Sequence, residues 1–423
     1  MLHTALSNNC DAGVSCFLVC YAIEFFWFMN FVVFWRNGMI IGIPKEILSG
    51  EKRVSATPET AGMLVNDGHS VLVEKGAGIG AFYPDKQYVE NGAVIIDDVA
   101  ELYEKAELIL KVKEPQLNSD KNIHELDMMH KGQYIITFLH PASPANHEMI
   151  RSMADKGITG LTLDSIPRIT RAQSMDALTS MSTCAGYKGM MLAVNDLMKF
   201  VPMTTCAVGT IKPCHVLIIG AGIAGLQALI TAKRLGAVVY AMDVRPEACE
   251  HAISLGAKII DTGIPPELAI GQGGYANSLP EEWLEKERSI LREHLPNMDI
   301  VYCSALVPGK QAPILIDEDM VKLMNPGSVI TDVSIDQGGN CSLTVAAETV
   351  VKHDIIIGGI KNIPGMIPTS STWMFANNVY NLVSYLMKDG QIILDKNDEI
   401  VQSILTTEDG EIVHSGTREA MGL

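Results

Sequence analysis

One stretch constrains this chain more than any other. His215-Val216-Leu217-Ile218-Ile219 runs directly into Gly220-Ala221-Gly222-Ile223-Ala224-Gly225, and a helical pattern then leads to Tyr240-Ala241-Met242-Asp243. A short apolar strand, a glycine turn, a helix and a second strand ending in an acid make a βαβ unit, so a doubly wound α/β sheet is expected. Gly220 permits the turn, Gly222 lets backbone approach a ligand, and Gly225 lets helix pack closely on strand. First-turn N–H groups of such a helix lack intrahelical partners, so with Ile223 and Ala224 the turn offers a site for an anion. Asp243 lies eighteen residues past Gly225, where a carboxylate accepts ribose hydroxyls and repels a 2′-phosphate. The ligand this predicts is NAD(H). Arg245 pulls the other way, because an arginine can pair with a 2′-phosphate, but Asp243 comes first at the strand end. Val244, and Ala305 and Leu306 beyond a later strand, complete the expected cofactor-binding set.

A chain of 423 residues has room for two domains with full cores. Its net charge of −17 excludes a nucleic-acid partner, which needs a basic face. Nine cysteines with no C-x-x-C pair read as a reducing cytoplasm, and no His or Cys spacing suits a metal, so none is expected.

Residues 1–38 differ from the rest. Of the twenty residues from Cys16 to Trp35 only Glu24 and Asn30 are polar, enough length to span a bilayer. No basic residue precedes the run and no small-residue cleavage site follows it, so it reads as an upstream extension outside the fold, with a membrane tether as the alternative. From Met39, strands and helices alternate. Strands are expected at Ile40–Ile43, Ser70–Glu74, Val94–Ile96, Leu108–Val112 and Tyr134–Phe138. A polar loop, 166–176, precedes a long helix from Ala177 to Phe200. After the glycine turn further strands complete a second sheet. The Gly271–Ser278 stretch reads as a mobile lid, a second long helix as Thr372–Met387, and Asp409-Gly410 as a hairpin turn. The domains expected are 39–175 plus 365–423, and 176–364: two Rossmann-like doubly wound units joined by two long helices.

Arg168-Ile-Thr-Arg-Ala-Gln-Ser-Met-Asp176, Gly273-Gly-Tyr275, Gly338-Gly-Asn-Cys341 and the tail hairpin together resemble the NAD(H)-binding domain of proton-translocating nicotinamide nucleotide transhydrogenase. The resemblance covers essentially all of 39–423 and is to the split form, because no run of transmembrane helices follows the hairpin. It implies that Arg168, Gln173 and Asp176 hold the dihydronicotinamide at the cleft, and that Tyr275 closes over NAD(H). Thr179 stands where many relatives have serine and keeps the hydroxyl. The resemblance further implies NADP(H) on a partner beta subunit, a membrane subunit that couples hydride transfer to proton flow, a homodimer, and a cytoplasmic location peripheral to the inner face of the membrane. Hydride transfer needs reacting carbons roughly 3–3.5 Å apart, so an ordered polar loop at the docking cleft makes chemical sense.

The chain also resembles alanine dehydrogenase, through Arg53 in Glu51-Lys-Arg-Val, Lys113 in Lys-Val-Lys-Glu-Pro, His140 in Phe-Leu-His and Asp336 in Ile-Asp-Gln-Gly-Gly. That set suits oxidative deamination: Arg53 and Lys113 to clamp a carboxylate, His140 to shuttle a proton, Asp336 to hold ammonium or water. The polar loop, for which an amino-acid dehydrogenase has no evident use, favours the transhydrogenase reading. A third reading is a catalytically silent NAD-responsive binding protein.

Overall fold

A computed structural model of the chain describes residues 38–271, 276–307 and 310–423. The first sheet begins with β1 (Ile40–Ile43), β2 (Ser70–Glu74), β3 (Val94–Ile96), β4 (Leu108–Leu110), β5 (Tyr134–Thr137) and β6 (Thr159–Thr162). The second contains β7 (His215–Ile219), β8 (Val238–Met242), β9 (Lys258–Ile259), β10 (Ile300–Cys303), β11 (Val329–Asp332), β12 (Thr349–Lys352) and β13 (Ile355–Gly358). The chain then returns to the first sheet with β14 (Leu405–Glu408) and β15 (Glu411–Ile412). Spatial order in the first sheet is 15-14-6-5-4-1-2-3, and in the second 9-8-7-10-11-13-12.

Both sheets therefore carry the Rossmann-like order 3-2-1-4-5, with a crevice where the winding reverses: between β1 and β4 in one, between β7 and β10 in the other. Near-continuous apolar runs such as Val216–Ile219 and Ile300–Cys303 are buried because crossover helices cover both faces of a parallel sheet. Each fully buried Ile or Leu contributes roughly 1.5–3 kcal/mol relative to exposure. At the tail, Asp409 and Gly410 both take positive φ and turn β14 into β15, which pairs antiparallel as the Asp-Gly dipeptide predicts.

The four long helices are α1 (Ala177–Asp196), α2 (Ile223–Arg234), α3 (Glu281–His294) and α4 (Pro368–Leu386). The start of α1 (Ala177, Met181, Cys184) lies in the core of the first sheet, and its end (Met190, Ala193) in the core of the second. Gly186, midway, faces the first turn of α2, where an added Cβ would meet the Ala224 carbonyl oxygen at 2.2 Å. Helix α4 packs Phe375, Val379, Leu382 and Leu386 into the first core.

Four features depart from sequence expectation. Helix α1 stops at Asp196 rather than Phe200, since Leu197 turns extended ahead of Pro202. Helix α4 begins four residues early, because Pro368 suits a first turn that needs no N–H. A ribbon of Thr204–Cys206 against Gly209–Ile211 was not foreseen, nor was the antiparallel β12. Residues 1–37 of the hydrophobic extension expected at 1–38, and Tyr275, lie outside the described residues.

Candidate functional site

Steric necessity shapes the glycine turn. Gly220 has φ +86°, and a Cβ there would meet the Ala305 nitrogen at 2.7 Å; at Gly225 one would meet the Gly220 oxygen at 1.9 Å. Both glycines serve the protein's own packing. Gly222 differs: the nearest heavy atom to its virtual Cβ is an Arg245 guanidinium nitrogen at 3.9 Å. The N–H groups of Gly222, Ile223 and Ala224 have no acceptor among the described residues. Open space beside unpartnered donors at the start of a twelve-residue helix fits a dinucleotide pyrophosphate.

Asp243 closes the turn from the β8 end. Its Oδ2 accepts the Ala221 N–H at 2.8 Å, tying the second strand to the turn. Arg245 folds back on the same carboxylate, with Nε to Oδ1 at 3.0 Å and Nη2 to Oδ2 at 2.9 Å. The arginine that could pair with a 2′-phosphate is thus engaged by the carboxylate that the sequence expects at the ribose, while Val244 separates the two.

The far wall of the crevice follows β10. Ser304 donates its hydroxyl to the Gly220 carbonyl at 2.8 Å. Ala305 is held on both sides by buried Asn340, which accepts its N–H at 3.0 Å and donates to its carbonyl at 2.9 Å. Asn340 in turn rests on Asp332, whose Oδ2 accepts the Asn340 and Cys341 N–H groups at 2.7 and 3.0 Å. Gly339 cannot be larger, since a Cβ would lie 2.7 Å from that oxygen. The Gly-Gly-Asn-Cys motif is therefore a strut that sets Ala305 and its half-exposed neighbour Leu306.

The polar loop is a 3-10 turn, Thr170–Met175, running into α1. Asp176 caps α1: its Oδ1 accepts the Thr179 N–H at 2.8 Å and its Oδ2 the Thr179 hydroxyl at 2.5 Å. Arg168 and Gln173 are exposed. The turn itself is anchored to α4 and beyond. Arg171 donates to the Tyr385 hydroxyl at 2.6 Å and to Asp398 at 2.8 Å, and Tyr385 bonds Asp398 directly. Asn378 and Asn381 of α4 both donate to the Ser174 carbonyl, at 2.8 and 3.1 Å. A tethered turn thus presents two exposed polar side chains beside a capped helix.

The crevice of the first sheet is built from charges instead. Arg53, buried, forms a bidentate pair with Glu51, with contacts of 2.8 and 2.5 Å, and donates to Asn362 at 3.0 Å. Burial acts to raise the Glu51 pKa, but the Arg53 guanidinium outweighs it and holds the carboxyl below its usual range. His140 has φ +45°, in the left-handed region, and stacks on Phe138 at 5.7 Å. Its Nδ1 lies 2.6 Å from Asp164, whose other oxygen accepts the His140 N–H at 2.8 Å. Burial acts to lower the His140 pKa, yet the Asp164 carboxylate prevails and raises it. Lys113 is near enough to act electrostatically on both Glu51 and His140. Asp336 lies outside this group, exposed and paired with Lys361 at 3.4 Å. Beneath, Lys111 is completely buried between Glu125 at 2.8 Å and Glu46 at 3.5 Å. Burial pushes the Glu46 carboxyl up to about 7 despite that lysine.

So the fold gathers Arg53, Lys113 and His140, and separately Gly220, Gly222, Gly225 and Asp243 with Ala305. Sequence reasoning missed Asn340, Asp332 and Ser304 as parts of the nucleotide crevice. The Gly-Gly-Asn signal was visible, but its partner Asp332 is not adjacent in sequence.

Comparison with known proteins places the chain among relatives. Residues 42–185 match the family model "Alanine dehydrogenase/PNT, N-terminal domain" and residues 189–415 match "Alanine dehydrogenase/PNT, C-terminal domain". The chain is 39% identical over 379 residues to the first part of NAD(P) transhydrogenase subunit alpha of Rhodospirillum rubrum, covering 89% of this chain and 98% of that protein. Its structure is similar to that of transhydrogenase from Sinorhizobium meliloti, with a TM-score of 0.76 at 34% identity over 89% of this chain and 99% of that one. An L-alanine dehydrogenase matches with the same TM-score of 0.76 at 27% identity, over 91% and 99%. Backbone shape alone does not separate the two.

Proposed function

Because the chain belongs to the alanine dehydrogenase/PNT family, we propose that it is the NAD(H)-binding alpha subunit of a proton-translocating NAD(P)+ transhydrogenase. In this reading it passes hydride from NADH to NADP+ held by a beta subunit, while a membrane subunit couples the step to proton flow. The observation that carries the reading is the tethered turn at 170–175, which holds Gln173 exposed on a backbone pinned through Arg171 and Ser174, with Arg168 exposed just before it. A substrate pocket closed on a small amino acid has no use for polar groups so exposed, whereas a docking second nicotinamide does.

Bound NADH supplies the hydride; the chain's own residues bind and orient. The α2 N-terminus and Gly222 take the pyrophosphate, Asp243 the ribose hydroxyls, and the wall at Ala305 and Leu306 limits where the rest of the molecule runs. Arg168, Gln173 and Asp176 fix the ring. No proton needs to move at the reacting carbons, so no general acid is assigned. The domain division proposed is 39–175 with 365–423, and 176–364.

A homodimer is supported by the ribbon at Thr204–Ile211. Two strands alone are marginally stable in water, and this one leaves Val208 95% exposed near exposed Met198, Phe200 and Met203, an apolar face suited to a second copy. The reading carries with it a cytoplasmic site at the inner membrane face; among the described residues no helix is long and apolar enough to cross a membrane.

Gln173→Asn tests the reading: hydride exchange with an NADP(H)-binding partner should slow about tenfold with NADH affinity retained. Unchanged exchange removes that residue's role. A second reading, alanine dehydrogenase, is favoured by the grouping of Arg53, Lys113 and His140 over the His140–Asp164 pair. Robust alanine-dependent NAD+ reduction at alkaline pH, abolished in His140→Ala, would establish it in place of the first.

A further inference from the structure

The acid expected to select NAD(H) does not act alone. Asp243 is paired through both oxygens with Arg245, so together they carry no net charge, and a guanidinium already at the ribose end could turn to a 2′-phosphate. Selectivity therefore needs another negative group. Helix α3 supplies one. Glu287 is only 4% exposed, in a run that otherwise reads as a solvated helix face. Leu284 and Leu291, three residues before and four after it, pack in the same apolar cluster as Tyr240, Met242 and Ile260, at the ends of the strands that flank Asp243. That placement turns Glu287 inward, toward the carboxyl end of β8.

Among the described residues none donates a hydrogen bond to the Glu287 carboxyl, whose oxygens keep a little solvent contact at the edge of an otherwise buried side chain. The neighbouring Arg288 is directed elsewhere, to Glu281 at 2.6 Å, Glu285 at 3.0 Å and the Ile314 carbonyl at 3.0 Å. Burial first, and then repulsion from Asp243, push the Glu287 carboxyl up to about 7.

We infer that Glu287 is a specificity-determining residue of the nucleotide crevice, a second acid at the adenosine ribose that excludes a 2′-phosphate where the Asp243–Arg245 pair by itself would not. The inference rests on the reading of this crevice as the NAD(H) site. A 2′-phosphate brought against it meets a negative group in a poorly solvated position, or forces that group to take up a proton.

The test is a fluorescence titration of the full chain with NADH and with NADPH, reading the ratio of the two affinities. Glu287→Gln, nearly the same shape, should shift that ratio about tenfold toward NADPH. Glu287→Met, which keeps the volume and drops the polar atoms, should shift it in the same direction and serves if the glutamine variant does not fold. A ratio unchanged in the folded variants, even with both affinities altered together, assigns Glu287 to packing and overturns the inference. Asp243→Asn separates the two levels. If it leaves NADH affinity untouched, the ribose is not where the crevice reading puts it; if it weakens NADH while Glu287 variants keep the ratio, only the inference fails.

Discussion

The molecule contains the same crevice twice. Both sheets reverse their winding between the first and fourth strands of a 3-2-1-4-5 order, yet the two clefts are furnished in opposite ways. Past β7 and β10 the chain offers glycine, open backbone N–H groups and one carboxylate. Past β1 and β4 it buries Glu46, Glu51, Arg53 and Lys111, with Lys113 and His140 at the rim. Topology provides a place where loops converge; it does not decide whether bare backbone or ionised side chains fill it. Backbone donors suit a diphosphate, whereas paired charges either hold a small ionised molecule or hold each other.

The comparison is most severely tested at Arg53. Arg53→Ala strands Glu51 as a buried, unpaired carboxylate, and urea unfolding should show about 3–5 kcal/mol lost. NADH affinity should hold if the crevices are independent; a parallel drop would mean they are coupled through α1. At Gly222 the expectation reverses. Gly222→Ala should weaken NADH about tenfold, roughly 1.4 kcal/mol, with little change in Tm, because its Cβ enters only the space a phosphate needs. Gly225→Ala, by contrast, should unfold the second sheet before affinity can be measured.

A smaller effect appears with pH. His140 holds its proton more tightly folded than unfolded, so its pair with Asp164 contributes fully below the unfolded value of 6.5 and fades as pH rises through the raised folded value. Asp164, whose pKa is depressed, limits the contribution on the acid side as pH falls through its own value. The stability difference between wild type and Asp164→Asn should therefore shrink above neutral pH; a constant difference would mean the pair is not ionised. Smallest is the tether of the polar turn. Arg171→Lys cannot reach both Tyr385 and Asp398, and hydride exchange should fall about threefold to fivefold, under roughly 1 kcal/mol, with NADH affinity unchanged.

How much of this could be read from residue order follows from how local each cause is. The glycine turn was legible because the positive φ of Gly220 and the contact of Gly225 with Gly220 lie within six residues, and the Asp-Gly hairpin because two residues determine it. Asp176 as the cap of α1 was within reach, since its partner Thr179 lies three residues on. The hold of Asn340 on Ala305, the clamp from Arg171 to Asp398 and the burial of Glu287 were not, because each depends on distant segments meeting. Glu287 is the sharpest instance: surrounded by Glu285, Lys286 and Arg288, it has the sequence context of a solvated residue, and only the packing of Leu284 and Leu291 turns it inward. The ribbon at 204–211 escaped notice because its short strands carry threonines and no buried stripe.

The return of β14 and β15 to the first sheet bears on how the polypeptide matures during synthesis. The Thr407 hydroxyl donates to the Ile158 carbonyl at 2.8 Å and accepts the Gly160 N–H at 3.0 Å, across some 247 residues. Until the last strands have left the ribosome, the edge of β6 is unpaired, and the core that α4 completes is open. The nucleotide-binding sheet draws its strands from one continuous segment and can close earlier. The half that is translated first is therefore finished last, its sheet edge waiting for a partner strand after the second sheet has all of its own.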